Sequence, residues 1–337
     1  VADGMPALAR RMDCPGRGTA HKALFTGCPP SAFSLHATTP KSHGESLGHR
    51  LAAVGRATGY CTMNGAAQQT PIVSVVMGVH NEASEIVTTL ESVFAQSLSD
   101  LECVVVDDGS TDDTVQVINE AFAEEPRLRL VVQPEQDGLT RALVAGVAAA
   151  SGTWLARIDA GDTWHPEKLA RQVEFLNGHP EVGIVGCATE ETNLQTGQVS
   201  IRRKPETSAA IEQTIWRACP FIHPTIVARL DLVRQCGGYD PAYPCSQDYD
   251  LYFRLLALTN GYNLPEPLAC RPTHGERSIS YTRWKDQVRC TLRIRWYYLR
   301  ERHMPLACYR VLVPLLLKLL LPGSLKGLKQ RLTRSRS

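Results

Sequence analysis

The sequence predicts an α/β protein: a mainly parallel central sheet flanked by helices on both faces, followed by helices at its C-terminal end. Two observations carry that prediction. Short apolar runs at 72–79, 101–106, 128–132 and 154–158 alternate with stretches whose apolar residues recur at helical spacing, and strands alternating with helices build parallel sheets. Within the runs, successive positions are apolar rather than every second one, as in strands covered on both faces.

The elements follow in order from Pro71, where the composition changes. Residues 1–70 are rich in Gly, Ala, Pro, Ser and Thr, with little periodicity. Such a segment buries too little apolar surface to offset ordering entropy, and it is expected to be a disordered extension. The first strand, 72–79, is broken by His80-Asn-Glu-Ala-Ser84; Ser84 is placed to cap a helix carrying Ile86, Val87, Leu90, Val93 and Phe94. The second strand runs into Asp107-Asp-Gly-Ser-Thr-Asp-Asp113 and a helix through Val115, Ile118 and Phe122. The third leads to an Ala-rich helix over 139–150, and the fourth to Asp159-Ala-Gly-Asp162 and a helix opened by Pro166. Further strands are expected at 182–187 and 225–228.

Composition excludes more than it identifies. Apolar residues at 43%, charged residues at 21% and a formal net charge of +2 are ordinary for a globular protein and give no reason to expect a nucleic-acid partner. The eleven cysteines stand singly with no C-x-x-C pair, which argues against a disulfide framework or a zinc knuckle; they read as reduced, mostly buried thiols. No N-terminal stretch has the basic, apolar and small-residue order of a signal peptide, so the catalytic part is expected to face the cytosol.

The informative chemistry sits where strands end. A carboxylate just past a strand, as at Asp107 and Asp108, accepts hydrogen bonds from a uracil imide or a ribose hydroxyl, with Gly109 letting the backbone pass close to the ligand. Capping by Ser110, Thr111 or Asp112 explains the rest of that turn but not the two aspartates. Asp159 and Asp162 form a second acidic turn, able to hold a hard divalent cation against a diphosphate or, alternatively, to cap the turn before Pro166. Asp248 and Asp250 precede an apolar helical pattern and read equally as charges favoured by a helix N-terminus.

Taken in order, the segments Val73-Ser-Val-Val-Met-Gly-Val-His-Asn-Glu82, Val105-Val-Asp-Asp-Gly-Ser-Thr-Asp-Asp-Thr114, Asp137-Gly-Leu139 with Ala142-Leu143, Arg157-Ile-Asp-Ala-Gly-Asp162 and Ser246-Gln-Asp-Tyr-Asp-Leu251 resemble the family 2 inverting glycosyltransferases of the GT-A fold. The resemblance covers about residues 71–281. It implies a Rossmann-like nucleotide half joined to an acceptor half, a nucleotide-sugar donor that is most often a UDP-sugar, and inversion at the transferred sugar. Asp108 matches the uracil-contacting aspartate, with Val79 and His80 where the first strand's end meets the base. Asn81, Glu82, Asp107, Gly138, Arg141, Arg157 and Ile158 fall in the same nucleotide-binding motifs. Asp159 matches the first aspartate of the D-x-D motif that binds the diphosphate through Mg²⁺ or Mn²⁺. Asp248 matches the aspartate that resembles a general base, while Gln247 and His223 fall on the acceptor side; His274 could reach the leaving diphosphate but is not counted among the site residues.

The sequence departs from the pattern twice. Where the family usually reads Asp-Ala-Asp-Asp, the third position is Gly161, so Asp162 supplies the second carboxylate or the metal is held more loosely. The E-D motif reads Gln247-Asp248, which keeps the base but removes a charge whose repulsion would raise its pKa.

Residues 282–337 are expected to be helical. A basic, aromatic helix at 281–302 precedes an apolar run at 312–321, which is interrupted by Pro314 and Lys318 and followed by Lys326, Lys329, Arg331, Arg334 and Arg336. The run falls short of a membrane span and suits either packing on the catalytic domain or peripheral contact with anionic lipid. The expected function is therefore transfer of a sugar to the hydroxyl of a saccharide or lipid-linked saccharide in cell-envelope or exported polysaccharide synthesis. The alternative is a non-catalytic nucleotide-sugar-binding or scaffolding protein that keeps the fold. A nucleotidyltransferase is disfavoured because no Gly-rich, Lys-containing phosphate loop follows the first strand.

Overall fold

The computed structural model describes residues 70–273 and 284–320; the extension expected before Pro71, apart from its last residue, lies outside the described residues, as does His274. The first four strands and their helices alternate as the sequence predicts: β1 (Val73–Val79), α1 (Ile86–Phe94), β2 (Leu101–Asp107), α2 (Thr114–Ala121), β3 (Leu128–Val132), α3 (Leu139–Ala149) and β4 (Trp154–Arg157). Next come the short β5 (Thr163–Trp164), α4 (Lys168–Gly178), the hairpin of β6 (Val182–Asn193) and β7 (Val199–Arg202), and α5 (Ser208–Ile215). The remainder is β8 (Val227–Arg229), α6 (Leu230–Gln235), α7 (Gln247–Leu255), β9 (Asn260–Thr273), α8 (Trp284–Glu301) and α9 (Val313–Leu320), with 3₁₀ turns at His223–Thr225 and Leu306–Leu312.

All nine strands join one sheet in the order β3-β2-β1-β4-β8-β6-β9-β5, with β7 paired to β6. The half made of β3, β2, β1 and β4 is wholly parallel. Beyond β4 the sheet is mixed: β8 runs antiparallel to β4 and β6, β6 and β9 are parallel, and β5 is antiparallel to β9. The chain moves outward from β1 to β3 and returns on the other side of β1 as β4, which makes the β1–β4 gap a topological switch point. Ligands of open α/β sheets bind outside the carboxyl ends of strands at such a point.

Successive β2 residues serve opposite faces, which is why the strand reads as continuously apolar. Cys103 and Val105 pack with Ile86 and Leu90 of α1, Ile118 of α2 and Leu169 of α4. Val104 and Val106 pack with Leu143 and Val147 of α3, in a core that continues to Leu251 and Phe253 of α7 and Tyr298 of α8.

Several boundaries differ from the sequence reading. Glu85, not Ser84, precedes α1, and no side chain caps that helix. Pro166 lies two residues before α4, which starts at Lys168. Strand β9 was hidden by Pro265 and Pro267, since proline in a run argues against an interior strand; the pairing Ala188↔Pro267 falls where the β6–β9 register shifts. Seven cysteines of the described residues are free thiols, but Cys308 is disulfide-bonded, so the expectation of uniformly reduced cysteines fails there.

The C-terminal helices pack on the catalytic domain. Arg295 of α8 donates from Nε to the Tyr249 hydroxyl at 2.9 Å, and the Tyr298 hydroxyl donates to Asp250 Oδ1 at 3.0 Å, fixing α8 on α7. Cys308, Val311, Leu312 and Leu315 are buried on the inner side, while Leu306 (88% exposed), Leu316, Leu317 and Leu320 (80%) face outward. Among the described residues no helix is long and apolar enough to cross a membrane.

Candidate active site

A cavity of about 950 Å³ opens at the carboxyl ends of β1, β2 and β4. Its wall brings together Val79, His80, Glu82, Asp108, Gly138, Arg141, Asp159, His223, Gln247 and Asp248. Asn81, Asp107, Arg157, Ile158 and Asp162 are not part of that wall.

At the nucleotide end, β2 delivers Asp108 to a loop that it organises. Asp108 Oδ1 accepts the Asp137 N–H at 2.8 Å and the Gly138 N–H at 3.0 Å, and Oδ2 accepts Gly138 N–H at 2.9 Å. Its carboxylate thus clamps the start of α3 to the end of β2 while lining the cavity. Gly109 (φ +64°) makes this possible: a Cβ there would stand 2.5 Å from the Glu135 carbonyl carbon and 2.6 Å from Gln136 N. The close approach shown at Gly109 is to this loop's backbone. Asn81, with φ 58°, accepts the Thr111 N–H at 2.8 Å on its side-chain oxygen and donates its own N–H to Ser110 Oγ at 2.9 Å. His80 donates from Nδ1 to the Asp108 carbonyl at 2.9 Å. Asp107 accepts the Ser110 N–H at 3.0 Å through Oδ2, and its buried Oδ1 has no partner. Asp112 accepts the Thr114 N–H at 3.0 Å, but the N-cap of α2 is Asp113, which makes no side-chain cap bond, so none of Ser110, Thr111 and Asp112 occupies the cap position. Arg141 is mostly exposed and pairs with Asp137 at 3.1 Å.

The second acidic turn is asymmetric. Arg157 is 1% exposed and pairs through Nη2 with Asp159 Oδ1, while its Nε and Nη1 lack partners. Asp159 remains 38% exposed on the cavity wall; burial opposes its ionisation, but the guanidinium of Arg157, with Arg271 beyond it, holds its pKa below the usual range. Asp162 is only 8% exposed and accepts Arg271 Nε–H at 3.1 Å. Burial, followed by the Asp159 charge, pushes Asp162 up to about 7. Helix α1 anchors the turn: Gly161 N–H donates to Thr89 Oγ1 at 2.9 Å, and that hydroxyl donates to the Asp162 carbonyl at 2.9 Å. Glu82, at the end of β1, is raised to about 7 by burial and then by Glu85 and Asp159.

At the acceptor end, Asp248 and Asp250 both lie in the first turn of α7, but they do different things. Asp250 is buried, taking Arg254 Nη2–H at 2.6 Å and the Tyr298 hydroxyl. Asp248 faces the cavity, where the Cys219 thiol donates to its Oδ2 at 3.5 Å. His223 meets the Tyr239 hydroxyl at 2.7 Å through Nε2; burial, then the Arg157 charge, pushes its pKa down to about 4, so the ring is neutral at pH 7. Trp154, Trp164 and Trp216 are buried core residues.

Sequence reasoning missed Arg271, Lys204 and the role of α1. Arg271 lines the cavity and pairs with Asp162 and Glu191 from the end of β9, a strand with no readable periodicity. Lys204 lines the acceptor side and donates to the Cys219 carbonyl at 2.6 Å. Thr89 had a signal of a kind: a polar residue on the otherwise apolar face formed by Ile86, Leu90 and Val93.

Residues 74–230 match the family model described as glycosyl transferase family 2. The chain is 30% identical over 198 residues to an amylovoran biosynthesis glycosyltransferase, AmsE, of Erwinia amylovora, covering 58% of this chain and 74% of that protein. Among solved structures, S. aureus TarS 1-349 in complex with UDP-GlcNAc superposes with a TM-score of 0.58 at 18% identity, over 72% of this chain and 71% of that one. The mannosyltransferase PcManGT from Pyrobaculum calidifontis, in complex with GDP-Man and Mn²⁺, gives 0.53 at 20% identity over 80% of each chain. At such identities these two likenesses establish a shared GT-A type fold and no more.

Proposed function

The chain belongs to glycosyl transferase family 2, and from that premise we propose that it transfers a sugar from a nucleotide donor, a UDP-sugar, to a hydroxyl acceptor with inversion. The observation that supports this reading best is the single cavity shared by Asp108, Asp159 and Asp248. In the reading, Asp108 and the loop it clamps receive the base and ribose, with Val79 and His80 beside them. Asp248 takes the proton from the acceptor hydroxyl as that oxygen attacks the anomeric carbon, and the nucleoside diphosphate leaves from the opposite side. The neutral His223 and Gln247 position the acceptor.

A divalent cation, Mg²⁺ or Mn²⁺, fits the donor set at Asp159, which offers a partly exposed, ionised carboxylate on the cavity wall. Among the described residues no group of three or more His, Cys, Asp or Glu side chains is arranged to hold a metal ion. The cation would therefore take most of its ligands from the diphosphate and water, as Mg²⁺ does at phosphate-transfer sites. When bound, it neutralises charge developing on the leaving diphosphate.

The acceptor in this reading is a saccharide or lipid-linked saccharide of an exported or envelope polysaccharide, met at the cytoplasmic membrane face. The exposed leucines of Leu306–Leu312 and α9 and the basic residues of 326–336 supply an apolar face and positive charge suited to anionic lipid. Catalysis is assigned to residues 71–281 and membrane contact to 282–337.

The test is titration with UDP and Mn²⁺ together. The melting temperature should rise, and Asp159→Ala should remove the metal-dependent part of the rise; an unchanged response in that variant would sink the metal assignment. A donor screen for nucleotide-sugar hydrolysis then identifies the sugar, while binding of a donor without turnover on any acceptor would favour the scaffolding alternative.

A further inference from the structure

Two thiols meet at the acceptor end of the cavity, outside the chemistry assigned above. Cys245 Sγ lies 2.8 Å from Cys290 Sγ, although the two cysteines are 45 positions apart in the chain. Cys245 lines the cavity in the segment that leads into α7, three residues before Asp248, and Cys290 sits on α8. Both are thiols and neither is fully buried, which leaves the pair open to a small reagent entering from the cavity. The next residue on each element repeats the contact, with the Ser246 and Thr291 hydroxyls 3.3 Å apart, so the two segments are held side by side. By contrast, Cys219 and Cys236 turn their thiols to oxygen atoms, Asp248 and the Phe221 carbonyl for one and the Val233 carbonyl for the other. A disulfide bond is about 2.0 Å long, so the sulfurs of Cys245 and Cys290 need to close by only about 0.8 Å.

We propose that Cys245 and Cys290 form a redox-sensitive dithiol that closes to a disulfide and locks α8 to the start of α7 across the cavity wall. The oxidant is a low-molecular-weight disulfide. The thiolate of one cysteine attacks it, forming a mixed disulfide and releasing one thiol; the second thiolate attacks the cysteine sulfur of that mixed disulfide and releases the other thiol. The two cysteine sulfurs are oxidised, and the reagent's two sulfurs are reduced and take up the two protons. Gln287 and Thr291 of α8 line the same cavity as Gln247 and Asp248 of α7, so the bond ties together the two helices that meet at the acceptor end. Neither step needs a nucleotide or a metal, and the outcome therefore stands apart from the sugar-transfer reading.

The experiment treats the full chain with oxidised glutathione and follows it by peptide mass mapping and melting temperature. Treatment should produce a cross-link between Cys245 and Cys290 and raise the melting temperature by about 5 °C or more. Cys290→Ser should show neither the cross-link nor the rise, whereas Cys270→Ser, which removes an exposed thiol, should show both. Glutathione retained on Cys245 or Cys290 with no link between them would overturn the proposal. The same rise in Cys290→Ser would assign the effect to the disulfide at Cys308 and overturn it too, and a cross-link that leaves the melting temperature unchanged would overturn the lock.

Discussion

Replacing Gly109 by alanine isolates the device that shapes the nucleotide end of the cavity. Two costs arise. The first is the left-handed backbone, φ +64°, which costs a non-glycine residue about 1–3 kcal/mol. The second is steric: the new Cβ would lie 2.5 Å from a backbone carbon, short of the ordinary 3.4 Å contact by 3.4 − 2.5 = 0.9 Å. Backbone cannot rotate away as a side chain can, so residues 135–136 must retreat by most of that distance. The Asp108 bonds to Asp137 and Gly138, now 2.8–3.0 Å, then stretch beyond hydrogen-bonding range. Hydrogen bonds to a charged group contribute about 1.5–3 kcal/mol each, so losing two adds about 3 kcal/mol even at the lower value. Gly197, at φ +68° with nothing within 4 Å of the place a Cβ would occupy, supplies the control because Gly197→Ala carries only the backbone cost. Urea denaturation should show Gly109→Ala losing about 4 kcal/mol and Gly197→Ala about 1 kcal/mol. Calorimetry with UDP should show affinity falling about tenfold or more in the first and unchanged in the second, a decade being about 1.4 kcal/mol. Equal destabilisation of the two variants, with UDP binding intact in both, would refute the clamp.

Asp248→Asn should retain donor binding and lose turnover by about 10²-fold or more, checked by single-turnover kinetics; full activity would remove it as the base. Glu82, raised from 4.5 to about 7 by burial and its acidic neighbours, binds a proton more tightly in the folded than in the unfolded chain. Its contribution is fully present below pH 4.5 and is lost as pH rises toward 7, so Glu82→Gln should flatten that part of the melting-temperature profile; an identical profile in the variant would exclude Glu82 as its source. Changing the exposed Leu316 and Leu317 to glutamate should abolish flotation with anionic vesicles without lowering the melting temperature, and undiminished flotation would rule out this face as the membrane contact.

The parallel half of the fold was legible because strands covered on both faces write their burial directly into sequence, as Val104, Val105 and Val106 do by packing alternately into two cores. The mixed half was not, because β4 to β9 are ordered by long-range pairing that leaves no local period; β9 even carries prolines at its register shifts. In the site, Asp108, Asp159 and Asp248 stood out as carboxylates at the ends of strands or the start of a helix, and the fold brings all three to one cavity. Arg271 did not stand out, since its neighbour there, Asp162, lies 109 positions away in the chain. Asp248 and Asp250 show the limit of local reading from the other side: alike in sequence, they part because Asp250 is engaged by Arg254 of its own helix and by Tyr298 of α8, while Asp248 faces the cavity.

The Tyr298 contact with Asp250 couples α8 to the helix that carries Asp248. Tyr298 stacks on Phe253 at 4.4 Å and bonds Asp250, while Gln287 and Thr291 of the same helix line the cavity. A tilt imposed on α8 from outside would therefore be transmitted to the helix bearing Asp248 through ring faces and a buried carboxylate rather than through a flexible strap. Under the proposed reading, docking through the C-terminal helices and setting the Asp248 carboxylate would be one mechanical event, and removing those helices would disturb both.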